Sequence, residues 1–243
     1  MRPKVVLVHG AWHGAWCWEP VQQRLRAHGV ESIAIDLPGH GDDPRELTDL
    51  HGDADSVQSV LDGEPENSVV LVGHSYGGAV ITDAGDHAAV RELVYVTGYV
   101  LDAGESLVGA EIEEAESQGV PAVAPALLDG MTIHDDGTST LPDAVVANVM
   151  YNECDEATKR WAVQNVGAQS LAISTQSPRA IAWLTIRYTY VVCERDRVIL
   201  PAFQRILASR CTEVVSLSAD HSPFASAPDS LTEVLIGIVD RSP

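Results

Sequence analysis

The sequence predicts an α/β fold: a mostly parallel central sheet with helices on both faces and one long inserted segment. Three observations carry this. Short β-branched runs, KVVLV (4–8), SVVLVG (68–73) and TIRYTYVVCERD (185–196), have the unbroken apolar character of strands buried on both sides. Helix-periodic segments alternate with them, as parallel strands need crossover connections. Residues 103 to about 183 interrupt the alternation with no strong buried strand, so they read as an insertion on a single domain spanning 1–243.

The elements follow in order. After strand 4–8 and a glycine-rich bend, WCWEPVQQRLRAHG has apolar positions at Trp18, Val21 and Leu25 and a stop at Gly29, which predicts a helix. ESIAIDLPGHG reads as a strand through Ile33 and Ile35, then a turn at Pro38 and Gly39. A polar helix is expected over Leu47 to Leu61, a strand over 68–73, a helix in YGGAVITDAGDHA and a strand in RELVYVTG (91–98). Within the insertion, HDDGT (134–138) predicts a hairpin or loop, and Pro142–Tyr151 and Glu156–Val166 predict helices. The acidic run EIEEAESQG (111–119) reads as a solvated helix face. A helix from Pro201 to about Ser209, a strand EVVSLS (213–218) and one final amphipathic helix from SPFASAP onward complete the framework.

Composition narrows the function. The 243 residues include 35 acidic and 15 basic ones, a net charge of −20, which opposes binding to nucleic acid or to anionic membranes. The four cysteines, Cys17, Cys154, Cys193 and Cys211, show no metal-ligand spacing, so neither a metal nor another cofactor is expected. No leader precedes the first strand and no apolar run would span a bilayer, so a cytoplasmic protein is expected.

GHSYG (73–77) sits between a strand and a helix. In that context G-x-S-x-G places Ser75 on a strained turn whose neighbours must be small. A serine hydroxyl needs a base, and His221 in SADHSPF lies just past the last strand. His74 should point away from Ser75. His9, His13 and His40 fall in turns, and His28, His51, His87 and His134 at the surface. Asp196, ending YVVCERD, is the acid that would hold the imidazole, with Glu194 as second choice. Asp220 is too close in sequence to His221 to pair with it. LVHGAWHGAW (7–16) supplies a loop whose Ala11 amide, with that of Tyr76, would bind an oxyanion. Trp12, Met131, Met150 and Tyr151 are candidate pocket liners.

Together HGAWHGAWCW, DLPGHG, GHSYGG, YVTGYVLDAGES, YVVCERD and DHSPFASAP resemble the α/β-hydrolase superfamily. Within it the chain is most similar to the small esterases and hydroxynitrile lyases that include plant methylesterases and bacterial relatives. The resemblance implies Ser75 as nucleophile, Asp196 as acid, His221 as base, the Ala11 and Tyr76 amides as oxyanion donors, and residues 103–183 as a lid. The lyases of this group carry a threonine and a lysine where this chain has Gly10 and Ser222, so the esterase reading gains. The expected activity is hydrolysis of a small to medium apolar ester through an acyl-enzyme, falling on acidification as His221 takes up a proton. Lactones and thioesters suit the same chemistry. A lyase on the same triad and a non-catalytic small-ligand receptor are the alternatives. The only partner implied is the small-molecule substrate, with a homodimer as a permitted assembly.

Overall fold

The computed structural model describes residues 2–241. Six strands form one parallel sheet: β1 (Lys4–Val8), β2 (Ser32–Ile35), β3 (Val69–His74), β4 (Val90–Val96), β8 (Arg187–Cys193) and β9 (Glu213–Leu217). Their order is β2-β1-β3-β4-β8-β9. All residues of β3 are buried, as its uniform apolar run requires when both sheet faces are covered.

The chain leaves β1 toward one edge through helix α1 (Glu19–Ala27) and β2. It then returns past β1 to build the rest of the sheet, by way of α2 (Leu50–Leu61), β3 and α3 (Tyr76–Ala84). Right-handed crossovers in opposite directions put α1 and α3 on opposite faces. They also open a crevice at the carboxyl ends of β1 and β3, the switch point where ligands bind in such sheets. α1 packs with the C-terminal helix Pro228–Val239, and α2 packs with α3.

Several boundaries differ from the sequence expectation. α2 begins at Leu50 rather than Leu47, because the Asp49 side chain caps it by accepting from the Gly52 amide at 2.9 Å. The single C-terminal helix is two, Pro223–Ser226 and Pro228–Val239, parted at Ala227. Pro228 has no N–H to continue the first and is well suited to start the second.

The inserted segment carries a three-stranded antiparallel sheet of β5 (Thr132–Ile133), β6 (Thr138–Thr140) and β7 (Gln169–Ser170). The β5–β6 hairpin turns at Gly137, with φ 79°, where the sequence placed a turn. Helices flank this sheet at Pro125–Gly130 and Glu156–Asn165. The stretch expected to be one helix over Pro142–Tyr151 is a short α turn, Asp143–Val145, widening to a π turn over Val146–Met150. No helix among the described residues is long and apolar enough to cross a membrane.

Candidate active site

Ser75 joins β3 to α3 with φ 52° and ψ −122°, a conformation that strains any L-residue. The flanking glycines explain how the chain tolerates it. A Cβ on Gly73 would stand 2.3 Å from the Gly77 carbonyl oxygen, and one on Gly77 would stand 2.6 Å from that of His9. Only hydrogen fits at either place. Ser75 is 8 % exposed and opens into a cavity of about 160 Å³ between the strand ends and the inserted segment.

The two amides expected to serve an oxyanion border the same cavity. Tyr76 is the first residue of α3, where an amide has no partner within its helix. Ala11 follows β1 in the neighbouring loop. Neither N–H has an acceptor among the described residues. The Tyr76 side chain is fixed elsewhere, its hydroxyl donating to buried Asp53 at 2.5 Å.

The loop carrying Ala11 is held from outside. Trp12 adopts φ 62°, which an indole-bearing residue does not choose unaided. Three bonds from the inserted segment hold it there. Its amide donates to Gln169 Oε1 at 3.3 Å, its indole N–H donates to Ser139 Oγ at 3.2 Å, and its carbonyl accepts from the Gly167 amide at 2.9 Å.

Asp196 and His221 come together because the segments leaving β8 and β9 are bonded to one another. The Glu194 amide donates to the Leu217 carbonyl and that of Arg195 to the Ala219 carbonyl, both at 2.9 Å. His221 Nδ1 then lies 2.8 Å from Asp196 Oδ2, with both side chains buried. Since the carboxylate can only accept, Nδ1 carries the proton and Nε2 is left as the acceptor nitrogen. Asp196 also receives Thr97 Oγ1 at 2.5 Å, Gln204 Nε2 at 2.9 Å, and the amides of Val198 and Ile199 at 2.6 and 3.1 Å. Five donors fix its orientation.

Ser75 Oγ forms no hydrogen bond with His221 among the described residues. The two are linked through the intervening elbow residue, His74. Its ring lies 4.8 Å from that of His221, and its Nε2–H donates to the His221 carbonyl at 2.7 Å. Burial, followed by the proximity of His221 and His13, holds the His74 pKa well below the usual histidine value. Catalytic hydrogen bonds are often long in the free enzyme and tighten around substrate.

The remaining expectations sort cleanly. Glu194 pairs with Arg205 at 2.6 Å near the surface, away from the imidazole. Asp220 turns back to accept from the amides of Glu153 and Ser222 and from Ser226 Oγ. Trp12 and Met131 line the cavity, whereas Met150 and Tyr151 are buried and do not border it. The Tyr151 hydroxyl donates to His13 Nε2 at 2.9 Å, while His13 Nδ1 donates to the Ala11 carbonyl. One correction concerns the acidic run: Glu111 is turned into the cavity and bonded to Tyr99. Thr97 and Gln204 were not anticipated. Gln204 carried a signal, since it is a polar residue beside Phe203 and Leu207 on the buried side of the helix Pro201–Ala208.

The histidines set an acid limit on stability. Burial depresses the pKa of His9 and His74 strongly and takes His13 to about 3. In the unfolded chain such groups titrate near 6.5, so below about pH 6.5 the unfolded state binds protons the folded state refuses. Their contribution is complete above that pH and is lost as pH falls toward 3, each by up to about 1.4 kcal/mol per pH unit. The buried carboxyls of Asp53, Glu92 and Asp220, raised by desolvation, act in the opposite sense. Scanning calorimetry is expected to show a lower Tm at pH 5 than at pH 7; an equal or higher Tm at pH 5 would contradict this.

Comparison with known proteins agrees with this architecture. The alpha/beta hydrolase family matches residues 5–234. Methyl jasmonate esterase 1 of Vitis vinifera is 29% identical over 264 residues, covering 97% of this chain and 96% of its own. The crystal structure of polyneuridine aldehyde esterase superimposes with a TM-score of 0.85 at 22% identity, covering 99% of this chain and 100% of that one. A pyrethroid hydrolase from Sphingobium faniae JZ-2 does so with a TM-score of 0.81 at 25% identity, covering 98% and 97%. With its parallel sheet, its serine elbow at β3 and a family match over nearly its whole length, the chain belongs to the alpha/beta hydrolase family, as an esterase-type member.

Proposed function

We propose that this protein is a serine carboxylic-ester hydrolase for small to medium apolar esters, working through Ser75, His221 and Asp196. The observation that carries the reading is the convergence on one cavity of a strained serine and two amides, those of Ala11 and Tyr76, with no acceptor among the described residues. An unused pair of backbone donors beside a nucleophile is what a tetrahedral oxyanion requires.

The chemistry follows. His221 Nε2 takes the proton of Ser75 as Oγ attacks the ester carbonyl, and the carbonyl oxygen moves onto the two amides. Asp196 keeps the imidazole in the accepting tautomer and stabilises the imidazolium. The imidazolium gives its proton to the leaving alcohol, which departs and leaves an acyl-Ser75. Water, deprotonated by the same histidine, then attacks the acyl carbonyl, and the imidazolium returns that proton to Ser75 Oγ as the acid leaves. Residues 103–183 act as the lid that walls the pocket and braces Trp12.

The size of the cavity supports a small substrate, since about 150 Å³ of apolar space accommodates benzene. In a p-nitrophenyl ester series, acetate through hexanoate are expected to be hydrolysed and decanoate to be at least about tenfold slower in kcat/KM. Equal rates across the series would refute the pocket assignment. The lyase alternative finds no support at Gly10. A threonine Cβ there would stand 2.8 Å from both Ser75 Cβ and His74 Nδ1, so the elbow excludes that side chain.

A further inference from the structure

We infer that Glu111 is a substrate-binding residue that selects esters bearing a protonated amine about one aromatic ring away from the carbonyl. The inference deepens the hydrolase reading proposed above and rests on it for the word ester. Glu111 belongs to the π turn Ala110–Glu114, in which Ile112 and Glu113 face solvent while Glu111 borders the cavity. The wall around it is largely apolar, formed by Leu107, Leu127, Met131 and Ile199 among others, and no Lys, Arg or His is among the described residues lining it.

The Tyr99 hydroxyl donates to one Glu111 oxygen, Oε1. The other oxygen has no hydrogen-bond partner among the described residues. Glu111 is half-buried, and a carboxyl group facing a largely apolar cavity is costly once a substrate displaces water from it; one phenolic hydrogen bond offsets only part of that cost. An amide in its place would accept the same bond without a charge to bury. The acid is therefore explained by a partner that enters with a substrate, and a cation is the partner that compensates a carboxylate most fully. The net charge of −20 favours accumulation of cationic molecules near the surface. Desolvation raises the Glu111 pKa, in keeping with a carboxyl that lacks a countercharge.

Tyr99 also provides the measure of distance. Its backbone amide donates to the Ser75 carbonyl at 3.1 Å, while its hydroxyl reaches Glu111. The backbone of the nucleophile residue and the carboxylate are thus bridged by one tyrosine, and Ser75 and Glu111 border the same cavity, a span on the scale of a para-substituted benzoate ester.

The test compares two near-isosteric probes, methyl 4-(aminomethyl)benzoate and methyl 4-ethylbenzoate, in the parent protein and in Glu111→Gln. The parent is expected to favour the amine by about 10-fold or more in kcat/KM, the value of one hydrogen bond to a charged group, and Glu111→Gln to bring the ratio near one. Binding of 4-methylbenzylamine and 4-methylbenzyl alcohol, read by quenching of tryptophan fluorescence since Trp12 lines the cavity, gives the same ratio without turnover. Equal affinities in the parent, or a preference that survives in Glu111→Gln, would overturn the inference. Hydrolysis of both esters at equal kcat/KM would do so while leaving the hydrolase reading intact. A Glu111-dependent binding preference with neither ester hydrolysed, and no turnover of p-nitrophenyl butyrate, would support the cation site and remove the hydrolase reading.

Discussion

Ser75→Ala is expected to abolish ester hydrolysis, lowering kcat by a factor on the order of 10⁴ to 10⁶ while the fold persists. The hydroxyl is the atom that forms the acyl bond, and no other serine or cysteine occupies the elbow. The methyl group that remains keeps a Cβ at φ 52°, so the strain of the turn stays. A second substitution separates strain from chemistry. Ser75→Gly removes the same nucleophile and also the Cβ, so it is expected to be more stable than Ser75→Ala by about 1 kcal/mol. Steady-state kinetics with p-nitrophenyl butyrate and thermal unfolding of the two variants supply both readings. Activity in Ser75→Ala within tenfold of the parent would remove Ser75 as nucleophile. Equal stability of the two variants would show that the elbow costs nothing.

The framework was legible because its four inner strands, β1, β3, β4 and β8, are covered on both sides. A strand such as β3, with every residue buried, is built on an apolar, β-branched run, and its one glycine, Gly73, is dictated by a contact as close as 2.3 Å. His221 and Asp196 were legible for a related reason: each follows a strand end, and strand ends on one edge of a parallel sheet converge. Helix termini were less so, since they depend on a cap such as Asp49 or a break such as Ala227.

The inserted segment resisted reading for a different physical reason. Its strands β5 and β7 are two residues long, too short to display a period, and its helices are interrupted by π turns that shift which residues face inward. Glu111 shows the consequence. In an acidic run at helical spacing it looks solvated, yet the π turn and the Tyr99 hydroxyl place it in the cavity. Met150 and Tyr151 show the reverse: large and apolar in character, they are buried and do not border the cavity. Thr97 was hidden because its role needs φ 42°, a backbone angle no residue type in the sequence announces.

Asp196→Asn is expected to lower kcat by about 10⁴ with a much smaller effect on KM, because Asp196 sets the imidazole and does not border the cavity. The arrangement around it explains why so small a change acts so strongly. Oδ1 accepts from the Val198 and Ile199 amides, while Oδ2 accepts from Thr97, Gln204 and His221. An asparagine has one accepting oxygen. With that oxygen held by the two backbone amides, its NH₂ group faces Gln204 Nε2, itself a donor, and His221 Nδ1. The imidazole can meet that NH₂ only by moving its proton to Nε2, the nitrogen that must receive the proton of Ser75. The base is then blocked without being displaced. Gln204 Nε2 keeps its 2.7 Å bond to the Ile199 carbonyl, but its N–H toward residue 196 loses a charged acceptor, which adds a stability loss of about 1 kcal/mol. Glu194→Gln serves as the control, since Glu194 engages Arg205 near the surface and is expected to leave kcat within about twofold. If Asp196→Asn fell less than tenfold, or Glu194→Gln fell as far as Asp196→Asn, the imidazole would not depend on Asp196 for its working tautomer. The acid of the triad would then have to be sought elsewhere.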